Sequence, residues 1–161
     1  MTPELERVSA EVVRRFEARG FTLGTAESLT GGLIAASVAS VSGASGVLRG
    51  GVVGYHPEVK HRLLDVSRSV IDGVGVVSEA CASQMAEGAR RALEADVAVS
   101  ATGIAGPGGG TPETPVGTVY LGVSGPKGTR VERRQFKGNR QQVREQSALS
   151  ALELALEALE K

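Results

Sequence analysis

A serine in the first quarter of the chain has the surroundings of a nucleophile. Ser28 lies in TAESLTGG, at the junction where a strand is expected to give way to a helix. Its oxygen would then lie among the backbone N–H groups that a helix start leaves unpaired. An activated serine hydroxyl can attack an acyl carbon. Simple capping of the helix is the alternative interpretation of the same spacing.

Lys60 is the candidate base for this serine. Neither histidine of the chain lies in a motif that suits a Ser-His-Asp triad, and a Ser-Lys pair is a known alternative. To work near neutral pH, the lysine pKa must fall from about 10.4 to about 7.5, which corresponds to roughly 4 kcal/mol against the charged form. Burial beside Val59, Leu63 and Leu64 would supply this desolvation. A solvated lysine on a short helix is the alternative.

Tyr55 and the two histidines lie close to Lys60 in the sequence. Tyr55 ends the glycine-rich segment GGVVGY, where its hydroxyl could relay a proton or its ring could simply cover the edge of the core. His56 and His61 are five residues apart, so they do not share a helical face, and no acidic cluster accompanies them. No metal site and no cofactor are therefore expected.

A thirteen-residue loop, GIAGPGGGTPETP, follows a predicted strand. In a compact domain a loop of this length calls for a functional explanation. Thr102 and Gly103 at its start could offer a hydroxyl and a backbone N–H to an oxyanion, and Thr30 with Gly31 could offer others. The alternative is that the glycines serve only the backbone angles of the turns. The loop lacks the GK[ST] ending of a P-loop, so nucleoside triphosphate hydrolysis is not predicted.

Basic residues cluster at the start of the last predicted helix. Arg140 and Arg144 are four residues apart and share a face, and Lys137 precedes them. The dipole at a helix start also favours anions. These side chains are candidates for binding an anionic group of a substrate, against the alternative of a solvated helix face.

Helices alternate with strands along most of the chain. Helices are expected at residues 3–19, 31–41, 79–94 and 139–160 and from Pro57, and strands at 21–25, 47–55 and 96–102, followed by a hairpin around SGPKG. This order predicts an α/β fold, a three-layer α/β/α sandwich on a mixed sheet, in a single domain of residues 1–161. The segments that carry Ser28, Lys60 and Gly103 each follow a strand, and ligands bind where strands end in such sheets.

Composition excludes several classes of function. Eighteen basic and 18 acidic residues leave no net field for a polyanion, and five aromatic residues offer little for base stacking, so nucleic-acid binding is not expected. No segment approaches the roughly 18 apolar residues of a membrane span, and the charged N-terminal segment is not a signal peptide. A cytoplasmic protein without membrane partners is expected. The single cysteine, Cys81, is interpreted as a buried small hydrophobe.

Three motifs together resemble the CinA C-terminal domain family. They are TAESLTGG, GGVVGY with a lysine five residues after the tyrosine, and the long, specific TGIAGPGGGTPETPVGTVYLGV. The resemblance extends from about residue 5 to residue 160. Longer relatives carry an additional N-terminal nucleotide-hydrolysing domain, for which this chain has no room. His56 and Pro57 depart from the family pattern, in which a Ser-Asn pair usually follows the tyrosine.

Members that consist of this domain alone resemble nicotinamide mononucleotide amidases, which release ammonia and nicotinic acid mononucleotide. The resemblance implies that Ser28 attacks the carboxamide, with Lys60 as base, Tyr55 assisting and donors near Thr30 and Gly103 holding the oxyanion. Two alternatives stay open: a catalytically silent nucleotide-binding accessory protein linked to competence or DNA damage, and an amidase for another small amide. A homo-oligomer is also an expectation, since a neighbouring subunit would add walls to a small pocket.

Overall fold

A five-stranded mixed sheet lies at the centre of the protein. The computed structural model describes residues 1–160, and Lys161, the last residue of the expected domain, lies outside them. The strands are β1 Leu23–Glu27, β2 Leu48–Val53, β3 Val97–Gly103, β4 Thr118–Gly125 and β5 Gly128–Gln135. Their order in the sheet is β2-β1-β3-β4-β5; β1 is parallel to β2 and β3, whereas β4 is antiparallel to β3 and β5. The three parallel strands therefore end at the same edge of the sheet.

Six α-helices within residues 1–160 cover both faces of this sheet. They are α1 Pro3–Arg19, α2 Leu33–Ala39, α3 Pro57–Leu64, α4 Arg68–Asp72, α5 Glu79–Ala92 and α6 Arg140–Glu157, with a short 3-10 turn at Ala44–Gly46. Helices α1, α2 and α6 pack together on one face, and α3, α4 and α5 pack on the other. Because both faces are covered, every residue of β1 is buried. The three-layer α/β/α sandwich predicted from the alternation is confirmed.

Local sequence explains most of the helix boundaries. In α1, Leu5, Val12 and Phe16 form the buried stripe, Thr2 caps the first turn, and Gly20 ends the helix with a φ of 67°. The expected helix at 3–19 is confirmed. The last helix also begins as expected, because Asn139 and Gln142 form a capping box at its start.

The segment after Ser28 differs from the prediction. A helix was expected from residue 31, but Gly31 and Gly32 have φ values of 58° and 104°, which a right-handed helix does not admit, so α2 begins at Leu33. Strand β1 correspondingly runs to Glu27, two residues further than expected. The sequence pattern also missed α4, a five-residue helix whose first turn is capped by Ser67. A smaller core lies between the sheet and helices α3–α5 and includes Leu64, Cys81 and Met85. Cys81 is fully buried there, as its interpretation as a small hydrophobe predicted.

Gly88 marks the closest approach between α5 and the end of α3. A Cβ atom at this position would overlap the carbonyl oxygen of Leu64, a backbone atom that cannot move without displacing α3. Gly88→Ala is therefore expected to lower the free energy of unfolding by about 1–3 kcal/mol, although alanine favours helices. Urea unfolding measures this loss. Gly46→Ala, where a Cβ would meet nothing within 4 Å, is the control; equal stabilities of the two variants would contradict the packing.

Candidate active site

Ser28 and Lys60 meet at the edge where the parallel strands end. They are 32 positions apart in the sequence, yet the Lys60 Nζ lies 2.9 Å from the Ser28 Oγ. Ser28 directly follows β1, and Lys60 lies on α3, which follows the neighbouring strand β2. Two adjacent parallel strands thus deliver one side chain each to the same crevice, as expected for an open α/β sheet.

The start of α3 fixes the position of Lys60. His56 is the N-cap, and its Nδ1 accepts a hydrogen bond of 3.0 Å from the Glu58 N–H. Pro57 occupies the first helical position, where its missing N–H costs nothing. The two residues that depart from the family pattern therefore form a helix start, and they keep a polar contact to the backbone.

Lys60 is buried without a compensating charge. Its side chain is 1% exposed, and it forms no salt bridge within residues 1–160. Burial lowers the pKa of the Lys60 amine below its usual range, and a thiolate at Cys81 would oppose this shift. Burial, however, raises the pKa of the Cys81 thiol to about 11, so this group is neutral at physiological pH. Leu63, which was expected to cover the lysine, is 58% exposed, because it points away from the smaller core that Leu64 joins.

The contacts of Lys60 admit the neutral amine that a base requires, although its three acceptors also match the three donors of an ammonium group. Besides Ser28, the Nζ donates to the carbonyl oxygens of Gly54, at 2.7 Å, and Tyr55, at 3.3 Å. An ammonium group has three N–H donors, whereas a neutral amine has two donors and a lone pair. With both carbonyls paired, the lone pair of the neutral amine is left for the Ser28 O–H. The site can therefore hold the lysine in the form that accepts the serine proton.

Glu27 is a site residue that the sequence reasoning missed. Its carboxylate is 1% exposed and lies under the turn formed by residues 28–32. Five donors bind it: the hydroxyls of Thr25 and Thr30 and the backbone N–H groups of Gly32, Ile34 and Ala35, at 2.7–3.1 Å. Glu27 thus satisfies the start of α2, and Ser28 is not the helix cap. The signal in the sequence was an acidic residue at the end of a short strand that is otherwise uncharged.

The backbone around Ser28 leaves few N–H groups for a substrate. The Ser28 N–H binds Ala101 and the Gly31 N–H binds the Ser28 carbonyl, whereas the N–H groups of Leu29 and Thr30 have no acceptor within residues 1–160. Gly31, an expected donor, is therefore engaged, and the Thr30 hydroxyl is held by the carboxylate beneath the turn. The free donors of this turn are therefore the N–H groups of two consecutive residues, Leu29 and Thr30.

The loop after β3 contributes a backbone donor but no hydroxyl. The Thr102 hydroxyl, an expected oxyanion donor, is buried and donates to the Val76 carbonyl at 2.7 Å, which removes it from that role. The Ile104 N–H binds Thr118 of β4. Because an antiparallel ladder alternates, the Gly103 N–H points away from β4, towards β1 and the Ser28 side. The Gly103 N–H can therefore donate a hydrogen bond to a group bound in this crevice.

Tyr55 and Arg140 bridge the crevice at its exposed side. One Arg140 Nη donates to the Tyr55 hydroxyl at 2.9 Å, and the other donates to the Gly106 carbonyl at 2.8 Å. Tyr55 is 56% exposed, and its hydroxyl contacts neither Ser28 nor Lys60; only its carbonyl reaches the lysine. The geometry therefore connects Tyr55 to the basic side chain of α6 and not to the serine–lysine pair.

Arg144 lies on the same side but has different partners. Its Nε donates to the Leu29 carbonyl at 3.0 Å and its Nη2 to the Thr30 carbonyl at 2.8 Å. Neither Arg140 nor Arg144 forms a salt bridge with any of the residues 1–160. In the same range no group of three or more His, Cys, Asp or Glu side chains could hold a metal ion. No helix there is long and apolar enough to cross a bilayer.

The fold and these contacts define an α/β protein in which a serine pairs with a buried lysine at the carboxyl ends of parallel strands. The chain belongs to the CinA family: the CinA C-terminal domain model matches residues 5–159. The resemblance indicated by the three sequence motifs is confirmed.

Named relatives and solved structures agree with this assignment. The chain is 49% identical over 148 residues to a CinA-like protein of Anaeromyxobacter dehalogenans and 50% identical over 136 residues to one of Desulfotalea psychrophila. These matches cover 92% and 84% of the chain but 36% and 33% of the relatives, so the chain spans about a third of their length. The crystal structure of competence/damage inducible protein CihA from Agrobacterium tumefaciens superposes with a TM-score of 0.96 at 34% identity, over 99% of this chain and 98% of that one. The competence damage-inducible protein A (ComA) from Klebsiella pneumoniae gives 0.92 at 35% identity, over 96% of both chains.

Proposed function

We propose that this protein hydrolyses the carboxamide of nicotinamide mononucleotide to nicotinic acid mononucleotide and ammonia. The observation that carries the proposal is the 2.9 Å contact between the Ser28 hydroxyl and the buried amine of Lys60, which lacks a counter-charge. A protein that only binds nucleotides has no need of a base with a lowered pKa beside a hydroxyl. The competing hypothesis, a silent accessory protein, predicts no turnover.

The reaction begins with attack of the Ser28 oxygen on the carboxamide carbon, while the neutral Lys60 amine takes the serine proton. The resulting ammonium returns this proton to the leaving nitrogen, the C–N bond breaks, and ammonia departs from an acyl-serine ester. Water then attacks the ester carbon and gives a proton to Lys60. The lysine passes it to the Ser28 oxygen as the ester bond breaks, which releases the carboxylic acid and restores the pair.

The tetrahedral intermediate of each half-reaction carries an oxyanion that requires donors. The N–H groups of Leu29 and Thr30 follow the nucleophile directly, and the Gly103 N–H points to the same side of β3. All three are backbone groups whose directions are set by the fold, so they need not reorganise during the reaction. We assign the oxyanion to these donors.

Arg140 is the candidate ligand of the substrate phosphate. Its guanidinium contacts two neutral oxygens, is exposed, and keeps further N–H donors for an anion. Tyr55, held by the same guanidinium, presents an exposed ring on which a positively charged pyridinium could lie. We therefore assign Tyr55 to substrate binding instead of proton transfer.

Ammonia release from three related amides tests the proposed substrate. We expect nicotinamide mononucleotide to be preferred over nicotinamide riboside and nicotinamide by about 100-fold in kcat/KM, since a charge-assisted phosphate contact is worth about 1.5–3 kcal/mol. Equal rates would retain the amidase but refute the mononucleotide as its substrate. Absence of ammonia from all three would favour the silent binding protein.

Arg140→Met is expected to raise the KM for nicotinamide mononucleotide about 10- to 100-fold, because it removes the proposed phosphate ligand. Steady-state kinetics with nicotinamide riboside provide the matched control, since this substrate has no phosphate to lose. A similar loss with both substrates would assign Arg140 a structural role instead.

The pH profile should report the lowered pKa of Lys60. The lysine acts as base only when neutral. The value of kcat/KM should therefore be highest above the pKa of Lys60 in the free protein and should decrease as the pH falls through this pKa. Because burial lowers this pKa, the rising limb should lie below the ordinary lysine value of about 10.4. Nicotinamide riboside again serves as control, since the phosphate of the mononucleotide titrates near pH 6. A limb centred at or above 10.4 would contradict the assigned base.

A further inference from the structure

The turn at residues 28–32 is held from two sides by side chains of opposite charge. Glu27 binds the Thr30 hydroxyl and the start of α2 on the buried side. On the other side, Arg144 of α6 donates to two consecutive carbonyls, those of Leu29 and Thr30, although it lies more than 110 positions further along the chain. The remaining Arg144 Nη is also engaged, by Gln141 at 3.0 Å. All three nitrogen atoms of the Arg144 guanidinium therefore donate hydrogen bonds within the protein.

Peptide geometry links these carbonyl contacts to the N–H groups of the turn. A trans peptide is planar, and its C=O and N–H point in opposite directions. The Leu29 carbonyl, held by Arg144, shares its peptide with the Thr30 N–H, which must therefore point away from the guanidinium. The Ser28 carbonyl is held by the Gly31 N–H, which in the same way sets the direction of the Leu29 N–H. Both N–H groups that lack an acceptor within residues 1–160 are thus fixed through their carbonyls.

The charge of Arg144 also acts on the strength of these donors. A guanidinium bound to a carbonyl polarises the whole peptide, which makes the attached N–H a better donor. Arg144 has no carboxylate partner within residues 1–160, so its charge is not compensated there. Lysine would not reproduce these contacts, because the guanidinium directs its Nε and Nη2 donors from one rigid plane, whereas an ammonium is a compact charge on a flexible stem.

We infer that Arg144 is a positioning residue: it orients and polarises the Leu29–Thr30 peptide so that the Thr30 N–H serves the oxyanion. This inference rests on the proposed amide hydrolysis and revises the expectation that Arg144 binds the substrate directly. Glu27 binds the buried side of the turn, so Arg144 and Glu27 together restrict its movement. Arg140, which keeps free donors, is the residue left for the phosphate.

A comparison of oxygen and sulfur substrates tests the inference. Arg144→Met and Arg144→Lys are assayed with nicotinamide mononucleotide and its thioamide analogue, whose sulfur is larger and accepts hydrogen bonds more weakly. We expect kcat for the carboxamide to fall about 100-fold in both variants, with a much smaller change in KM. The preference for oxygen over sulfur should fall by about tenfold, because the missing donor interaction favoured oxygen. Arg140→Met is the control, with a raised KM and an unchanged oxygen-to-sulfur ratio.

Each outcome of this comparison decides the role of Arg144. Equal losses with both substrates, at an unchanged ratio, would show a merely structural role and overturn the inference. A raised KM at constant kcat would return Arg144 to phosphate binding. Melting temperatures of both variants identify any loss that is due to unfolding, and the lysine variant keeps a positive charge and N–H donors if the methionine variant proves unstable.

A crystal structure of Arg144→Met separates this inference from the proposed function. We expect the Leu29–Thr30 peptide to rotate while the Ser28–Lys60 contact persists. An unchanged peptide would overturn the inference even if the parent protein is an active amidase. A rotated peptide in a protein that releases no ammonia would support the positioning by Arg144 and refute the amidase instead.

Discussion

Ser28→Ala is expected to abolish ammonia release from nicotinamide mononucleotide, with kcat lowered by about 10⁴-fold or more. Removal of a serine nucleophile eliminates the acyl-enzyme route and leaves only the residual acceleration that substrate binding and the oxyanion donors supply. Stability should fall by no more than about 0.5–1.5 kcal/mol, the contribution of the lost hydrogen bond to Lys60, because Glu27 and not Ser28 caps the helix that follows. Ammonia assays and thermal unfolding of the same preparation measure both effects.

Ser40→Ala is the matched control for this variant. Ser40 ends the same helix, and its hydroxyl donates to the Ser37 carbonyl at 2.7 Å, away from the crevice. It should retain full activity. Substantial activity in Ser28→Ala would mean that Lys60 activates water directly, which would overturn the covalent mechanism while leaving the amidase intact.

Lys60→Met is expected to lower kcat about 10²- to 10⁴-fold, the usual contribution of a general base. Its effect on stability should depend on pH in a defined direction. Because the pKa of Lys60 is lower in the folded than in the unfolded protein, the unfolded chain binds more protons, and the stability of the parent rises with pH up to about 10.4. Methionine cannot titrate, so the variant should gain stability relative to the parent as the pH falls.

The difference in unfolding free energy between Lys60→Met and the parent, followed by urea unfolding from pH 7 to 10, measures this linkage. Groups common to both proteins cancel in the difference. Lys137→Met, at an exposed position, controls for the removal of one amine. A pH-independent difference for Lys60→Met would show that the folded protein does not disfavour the lysine charge.

The pairing of Ser28 with Lys60 could be predicted because the family resemblance favoured it over simple capping by Ser28 and the strand order allows it. A serine after one strand and a lysine after the next meet when the two strands are parallel neighbours. The apolar, glycine-rich segment 47–55 also indicated a buried strand, but β2 is an edge strand whose residues alternate between half-buried and exposed. The amphipathic helix at 3–19 was equally accessible. Its apolar stripe, N-terminal proline and final glycine all agree.

The donors around the serine could not be derived in the same way. Whether the Thr30 and Thr102 hydroxyls are free depends on partners such as Glu27 and Val76, which sequence spacing does not reveal. The contact of Arg144 with the turn spans 114 positions, so only the packing of α6 determines it. For Arg140 and Arg144 a solvated helix face was the competing interpretation, and both lie at the crevice although the first three residues of α6 are exposed.

Interception of the acyl-enzyme by hydroxylamine would test the central claim most directly. An acyl group on Ser28 partitions between water and an added nucleophile, so the purified protein with nicotinamide mononucleotide should form the hydroxamate beside the acid, while ammonia release is not reduced. Ser28→Ala should form neither product. Ammonia release with no hydroxamate at any hydroxylamine concentration would contradict the covalent mechanism, and no ammonia release at all would contradict the proposed amidase.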